Sequence, residues 1–139
     1  MNAAIVLVAD ASVLVAFVLD SGAMGAAARS RLADNDLMVP DIAVVEATSA
    51  IRRIMLQSPD SEVRAESAVV DLLATPLSAV PCAPLIPRTW ELRHNMSTYD
   101  ACYVALAEHL DCPLITLDRR LAASPGAACV IERLTLDDA

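Results

Sequence analysis

Four acidic residues in this chain stand where acids from separate segments can act together. Asp10 and Asp118 each directly follow a run of apolar residues, Asp100 opens an apolar helical segment, and Glu46 lies one turn into another helical segment. A cluster of carboxylates repels itself unless cations or protons neutralise it. Hard oxygen ligands of this kind select Mg²⁺ or Mn²⁺ over zinc. The pattern therefore points to metal-assisted chemistry.

Three of these acids also have a simple structural explanation when each is taken alone. Asp10 can cap the helix that follows it, since aspartate is a preferred N-cap residue. The segment Ser97–Asp100 matches the [ST]-x-x-[DE] capping box. Asp118 can cap a short helix, and the adjacent Arg119 and Arg120 can neutralise it. Helix capping is the structural alternative to a site for all three.

Glu46 is harder to explain in structural terms. It projects from the apolar stripe of its helix, and no local helical ion pair compensates its charge. Its neighbours three and four positions away are all uncharged: Ile42, Ala43, Ser49 and Ala50. A solvated edge position or an ion pair with a distant arginine is the alternative to a role as a metal ligand.

Apolar runs and amphipathic segments alternate along the whole chain, which predicts an α/β fold. Strands are predicted at Ala4–Ala9, Leu37–Val39, Ser78–Cys82, Leu114–Leu117 and Ala128–Ile131. Helices are predicted at Ala11–Leu19, Ala23–Ala33, Ile42–Leu56 (capped by Asp41), Asp60–Leu73, around Trp90, from Ser97 to Leu110, and briefly after Asp118. We expect a three-layer α/β/α sandwich with a mostly parallel central sheet, forming a single domain over residues 1–139.

In such a sheet the carboxyl ends of the strands share one rim, where ligands bind. The four acids would gather at that rim. Four carboxylates form six pairs, each costing about 3 kcal/mol at about 6 Å and an effective dielectric constant of about 20. The sum, above about 10 kcal/mol, is a large part of a domain's stability, so the cluster requires cations or protons. Two divalent ions would bring the net charge from −8 to −4.

The composition excludes several other chemistries. The 139 residues contain no lysine, which excludes a P-loop or Schiff-base lysine, and three glycines cannot form a GxGxxG loop. Two histidines and four cysteines without CxxC spacing argue against a zinc site. The apolar amino-terminal stretch has no basic residue before it and is interrupted by Asp10, so we expect neither a signal peptide nor a membrane span, and a cytoplasmic location.

The four acids lie in motifs that resemble those of a PIN domain, in the same order and spacing. Among PIN domains, the chain most resembles the VapC toxins of bacterial type II toxin–antitoxin modules. The most specific stretch is YDACYVALAE, which is one of four matching segments: Val8–Ser12, Val45–Ala47, Tyr99–Glu108 and Thr116–Asp118. The resemblance covers the chain from Asp10 to the last strand.

This resemblance implies an RNA endonuclease that requires Mg²⁺ or Mn²⁺, forms a homodimer and is silenced by a cognate VapB antitoxin. It further implies that the products carry a 3′-hydroxyl and a 5′-phosphate. The implied metal-binding and catalytic residues are Asp10, Glu46, Asp100 and Asp118. Ser12 and Thr116 match small polar positions of the motifs and are expected to support the site. Charge and proximity, not the resemblance, suggest phosphate contacts for Arg119 and Arg120.

Two other functions are compatible with the same residues. One is a non-catalytic PIN-like interaction module. The other is an aspartate-nucleophile phosphatase built on Asp10, although such enzymes place a second acid where this chain has Ser12. A net charge of −8 is acidic for a protein that approaches RNA, so we expect salt-sensitive RNA binding. Trp90, the only tryptophan, is expected to pack within a helix interface rather than to stack on a base.

Overall fold

Five strands and seven helices alternate along residues 3–136, the part of the chain that the computed structural model describes. Residues 1–2 and 137–139, which belong to the predicted domain, lie outside the described residues. The strands are β1 (Val6–Ala9), β2 (Asp36–Pro40), β3 (Ser78–Val80), β4 (Leu114–Thr116) and β5 (Ile131–Arg133). The helices are α1 (Ala11–Leu19), α2 (Ala23–Leu32), α3 (Ala43–Gln57), α4 (Glu62–Ala74), α5 (Ile86–Glu91), α6 (Thr98–Leu110) and α7 (Arg119–Ala122), with single 3₁₀ turns at Pro59–Ser61 and Ala83–Leu85.

The strands form one sheet in the order β3-β2-β1-β4-β5, and every pairing is parallel. The central strand β1 pairs with β2 and β4, with Val8 opposite Met38 and Ala9 opposite Ile115. Its last three residues have no exposed surface. A strand covered on both faces reads as a continuous apolar run, which is why the sequence revealed it.

Helices cover both faces of the sheet, because right-handed crossovers place the connections of its two halves on opposite sides. Helices α1 to α4 pack on one another, and α1 contacts β1 and β4. Helix α5 packs on α6, which crosses β1, β2 and β4. The predicted three-layer α/β/α sandwich is confirmed, with a sheet that is parallel throughout the described residues.

Helices α1 and α2 meet at a sharp corner that only glycine permits. A Cβ atom on Gly25 would lie 1.7 Å from the carbonyl oxygen of Asp20, so α2 approaches the end of α1 without room for a side chain.

Across residues 3–136 no single helix is long and apolar enough to cross a membrane. Of these helices, only α1 and α2 counted together have the length and apolar composition of a membrane span, and the pair is bent by 113°.

Three local predictions were wrong. The last strand begins at Ile131 instead of spanning Ala128–Ile131, because the Ala128 N–H donates to a side chain, Glu108 Oε2, at 2.6 Å. Asp41 does not cap α3, since its carboxylate accepts the Cys82 N–H at 3.3 Å. Trp90 is 65% exposed, and the Arg93 guanidinium lies 4.8 Å from the centre of its ring. The tryptophan is therefore a surface residue.

Candidate active site

Asp10 lies at the carboxyl end of the central strand, where it joins two segments. Its N–H donates to the carbonyl of Ile115 in the neighbouring strand at 3.1 Å. Its Oδ1 accepts the Ser12 hydroxyl at 2.5 Å and the Val13 N–H at 3.2 Å, and its Oδ2 accepts the Thr116 hydroxyl. With a side chain held by three groups of the protein and only 5% of the residue exposed, the Asp10 carboxylate has a fixed orientation.

The two hydroxyls that hold Asp10 also fasten the turn after β4. Thr116 Oγ1 accepts the Asp118 N–H at 3.0 Å, and Ser12 Oγ accepts the Leu117 N–H at 3.1 Å. Asp118 in turn caps α7, with Oδ1 accepting the Arg120 N–H at 2.8 Å. Both hydroxyls thus donate to Asp10, and both accept a backbone N–H from the turn that contains Asp118. The turn therefore holds Asp118 close to Asp10.

Asp100 and Glu46 reach the same rim from α6 and α3. Ser97 caps α6 by accepting the Asp100 N–H at 3.1 Å, which places this acid in the first helical turn. Glu46 Oε1 accepts the hydroxyl of Tyr103 at 2.8 Å. Burial, followed by the charge of Glu46, raises the pKa of the Tyr103 phenol far above its ordinary value, so this hydroxyl stays a donor.

The carboxylates influence one another's protonation. Burial raises the pKa of Asp10, and the charge of Asp118 adds to that rise. Burial also raises the pKa of Glu46, with further contributions from Asp100 and Asp10. The pKa of Asp100 rises through burial and then through Asp118 and Asp10, while Arg120 opposes the rise. Asp10, Glu46, Asp100 and Asp118, hereafter the acid cluster, therefore share one region, as the sequence predicted.

Among residues 3–136 no arginine forms an ion pair with the acid cluster. Within residues 3–136 the ion pairs are Arg31–Glu132, Arg88–Glu91 and Arg88–Glu108, all outside it. The alternative that Glu46 is neutralised by a distant arginine is therefore wrong. Helix capping by Asp10 and Asp118 is correct, but it accounts for only part of their environment. Arg119 and Arg120 are exposed on α7.

The donor chemistry of the acid cluster fits a hard divalent cation. Its four carboxylates and the neighbouring hydroxyls of Ser12 and Thr116 all present oxygen atoms as possible metal ligands. The negative charges of the carboxylates repel one another. Nevertheless, among the described residues no three Asp, Glu, His or Cys side chains are arranged to hold one ion as they stand. Asp10 and Glu46 direct oxygens to hydroxyl groups and Asp118 directs one to the backbone, so these oxygens satisfy protein donors.

Comparisons with known proteins identify the family of the chain. The family model of the PIN domain matches residues 7–126. Ribonuclease VapC1 of Mycobacterium tuberculosis is 40% identical over 126 residues, which are 90% of this chain and 95% of the relative. The chain belongs to the VapC group of the PIN-domain family.

Solved structures agree on the fold of this PIN domain. The crystal structure of PAE2754 from Pyrobaculum aerophilum has a TM-score of 0.69 and 21% identity, covering 95% of this chain and 88% of the other. VapBC2 from Rickettsia felis, crystallised with a DNA fragment from its promoter, has a TM-score of 0.67 and 13% identity, covering 94% and 99%. At these identities the likeness concerns the fold alone.

One residue beside the acid cluster was missed by the sequence reasoning. Tyr103 lies inside the YDACYVALAE stretch, three positions after Asp100, but it was not singled out. A signal was available, because positions i and i+3 share a face of a helix. A tyrosine in a run of otherwise apolar residues also needs a hydrogen-bond partner when it is buried.

Proposed function

We propose that this PIN domain is an Mg²⁺- or Mn²⁺-dependent endoribonuclease, the toxin of a VapBC toxin–antitoxin module. The observation that supports this most directly is the acid cluster: carboxylates at the carboxyl rim of a parallel sheet that form no ion pair with an arginine of the described residues. Unpaired acids that raise one another's pKa values are costly, and such arrangements are concentrated at functional sites. The 40% identity to a protein named as a ribonuclease supports RNA as the substrate class.

In this proposal Asp10, Glu46, Asp100 and Asp118 hold the cation, directly or through water. When bound, a divalent ion polarises the phosphate and lowers the pKa of water. Ser12 and Thr116 hold the Asp10 carboxylate still, which preserves the geometry that in-line attack requires. Water adds to the phosphorus, the P–O3′ bond breaks and the 3′ oxygen takes up a proton, which leaves the 3′-hydroxyl and 5′-phosphate that the family resemblance implies. A loop or single strand of RNA suits this rim, since its backbone is accessible.

Arg119 and Arg120 are proposed to contact the RNA phosphates. Both are exposed on α7 immediately after Asp118, and the charge of Arg120 is felt at Asp100. Each phosphate contact that is removed reduces the slope of binding against salt concentration by about 1. Arg120→Gln is thus expected to weaken RNA binding and flatten its salt dependence. An unchanged slope would remove Arg120 from the RNA contacts.

The cognate VapB-type antitoxin and a second copy of the chain are the proposed partners. One chain of a VapBC assembly has the same fold, which is consistent with an antitoxin partner. Co-purification of the chain with the product of a neighbouring short reading frame tests the antitoxin. Sedimentation of the isolated chain tests the homodimer.

The two alternative functions receive less support. Aspartate-nucleophile phosphatases place a second acid two positions after the nucleophile, where this chain has Ser12, whose hydroxyl donates to Asp10. A non-catalytic module has no need to keep four mutually repelling acids, whose removal would stabilise the fold.

The decisive experiment is cleavage of RNA by the purified Asp10→Asn, Asp100→Asn double variant. We expect the variant to fold, to lose Mn²⁺-dependent cleavage, and to lose the Mn²⁺ binding that calorimetry detects in the unmodified protein. Asp71→Asn is the control for loss of an acidic side chain as such, because Asp71 is exposed on α4 and lies outside the acid cluster. Cleavage by the double variant at the control's rate would refute the proposal.

A further inference from the structure

Tyr103 is the only group in the described structure that donates a side-chain hydrogen bond to Glu46. Its hydroxyl oxygen lies 2.8 Å from Glu46 Oε1, and the two residues are 57 positions apart in the chain. Tyr103 is 1% exposed, so its ring belongs to the core, where phenylalanine would pack equally well. The packing of the ring therefore does not explain the hydroxyl.

Glu46 needs such a partner more than Asp10 and Asp118 do. Asp10 is held by two hydroxyls and a backbone N–H, and Asp118 by the backbone of α7. A glutamate side chain has more rotatable bonds than an aspartate, and fixing it costs up to about 2 kcal/mol of rotamer entropy. Among the described residues no arginine forms an ion pair with the Glu46 carboxylate, so the Tyr103 hydroxyl is its hydrogen-bonding partner.

Helix α6 carries both Asp100 and Tyr103, one turn apart. The same rigid element thus supplies one acid of the cluster and anchors another that comes from α3. Oε1 of Glu46 is taken by the phenol, and the side chain remains close enough to Asp10 and Asp100 for their charges to reach it. The hydrogen bond fixes the spacing between the acids of α3 and α6.

We propose that Tyr103 is a positioning residue, whose hydroxyl holds the Glu46 carboxylate in place for cation binding by the acid cluster. The inference rests on the proposed function and adds a residue to it. Partners that orient metal ligands typically contribute about 10- to 100-fold to metal affinity or activity. Tyr103→Phe deletes the hydroxyl and keeps the ring, so it isolates this contribution.

The test is calorimetric titration of the folded protein with Mn²⁺ alone. We expect Tyr103→Phe to weaken Mn²⁺ binding about tenfold. Tyr99→Phe is the matched control, because Tyr99, the other tyrosine of the chain, lies on the same helix next to Asp100 but is 60% exposed. Its affinity is expected to equal that of the unmodified protein. Equal affinities for the two variants would overturn the inference.

A double-mutant cycle with Glu46→Ala separates positioning from general damage to the fold. If Tyr103 acts through Glu46, Tyr103→Phe lowers Mn²⁺ affinity in the unmodified background but has no further effect once Glu46 is alanine. An equal loss in both backgrounds would assign the effect to the fold and contradict the inference. If the unmodified protein binds no Mn²⁺, or if Asp10→Asn leaves binding intact, the proposed function itself fails.

A measurement on the unmodified protein covers the case in which Tyr103→Phe does not fold. Mg²⁺ binding withdraws charge from the Glu46 carboxylate and weakens it as an acceptor, which changes the near-ultraviolet absorption of the bonded tyrosine. We expect a tyrosine difference band on titration with Mg²⁺ that is absent in Glu46→Ala. No band in the unmodified protein, or the same band in both, would overturn the inference.

Discussion

The two ends of helix α6 carry acids in opposite environments. Asp100, in the first turn, lies among three other carboxylates and forms no ion pair with any described arginine. Glu108, about two turns later, accepts two hydrogen bonds from Arg88, at 2.7 and 3.0 Å, and one from the Ala128 N–H at 2.6 Å. Within the described residues, the same helix thus carries Asp100, which has no arginine partner, and Glu108, which is paired with Arg88.

The pKa values of the two acids move in opposite directions. Burial and neighbouring carboxylates raise the pKa of Asp100. Burial by itself would raise the pKa of Glu108 too, but Arg88 and the Ala128 N–H hold it below its ordinary value. Burial therefore does not separate a structural acid from a functional one; the partners do. An acid that binds an arginine in bidentate fashion joins parts of the fold. A group of acids without arginine partners is instead typical of a ligand-binding site.

The largest expected contrast is in catalysis. Asp100→Asn is expected to reduce cleavage of RNA by about 10²- to 10³-fold, the usual effect of removing one preorganised group from an active site. Because it also removes a repelling charge, the variant should be at least as stable as the unmodified protein when divalent cations are absent. Single-turnover cleavage measures the expected loss of activity, and thermal unfolding in a chelator measures the expected stability. Loss of both activity and stability would make Asp100 a structural acid like Glu108.

Glu108→Gln is expected to do the reverse. The change removes the Glu108 carboxylate from the Arg88 guanidinium, which keeps Glu91 as a charged partner. It also weakens three hydrogen bonds that join α5, α6 and the segment before β5. Hydrogen bonds to charged groups contribute about 1.5–3 kcal/mol, so the free energy of unfolding should fall by about 2–3 kcal/mol. Urea unfolding measures the loss, and cleavage per folded molecule should remain unchanged. A large loss of cleavage by folded protein would place Glu108 in the site.

The fold was largely predictable because its signals are local. The apolar run of β1 and the capping serine of α6 specify these elements within a few residues of sequence. The last strand was misplaced because a long-range contact decides where it begins. Glu108 binds the Ala128 N–H from 20 positions away, and no local pattern encodes that contact.

The acid cluster was predictable in outline and not in detail. Parallel strands bring their carboxyl ends to one rim, so acids that follow strands converge there. Which oxygen of Asp10 meets Thr116, and that Tyr103 reaches Glu46, depends on how α6 packs against α3 and on the register of β1 with β4. Register and packing arise from tertiary contacts that one sequence does not specify.

The opposite pKa shifts predict opposite pH dependences of stability in the absence of divalent cations. Asp10, Glu46 and Asp100 have folded pKa values above their ordinary values of 3.8, 4.5 and 3.8, so their contribution is full below those values and is lost as the pH rises through the raised ones. Glu108 has a lowered pKa, so it stabilises the fold above its ordinary value of 4.5 and less as the pH falls.

Urea midpoints measured in a chelator, from the ordinary pKa values of these acids upward, test the predicted pH dependence. We expect the stability of the unmodified protein to decline as the pH rises, and the decline to be shallower in Asp100→Asn. Glu108→Gln should leave the slope of that decline unchanged, since Glu108 is ionised in both the folded and unfolded states over most of the range. Identical slopes in the unmodified protein and Asp100→Asn would show that the acids do not interact as the geometry indicates.

The smallest effect concerns Asp118, which combines the two kinds of role. It caps α7 through the N–H groups of Arg120 and Leu121, and its charge raises the pKa values of Asp10 and Asp100. Asparagine caps a helix about as well as aspartate, whereas alanine loses about 1 kcal/mol. The free energy of unfolding measured with urea should therefore be about 1 kcal/mol higher for Asp118→Asn than for Asp118→Ala, although the two variants have the same net charge. Equal stabilities would mean that the cap contributes nothing and that Asp118 is held only by its place in the acid cluster.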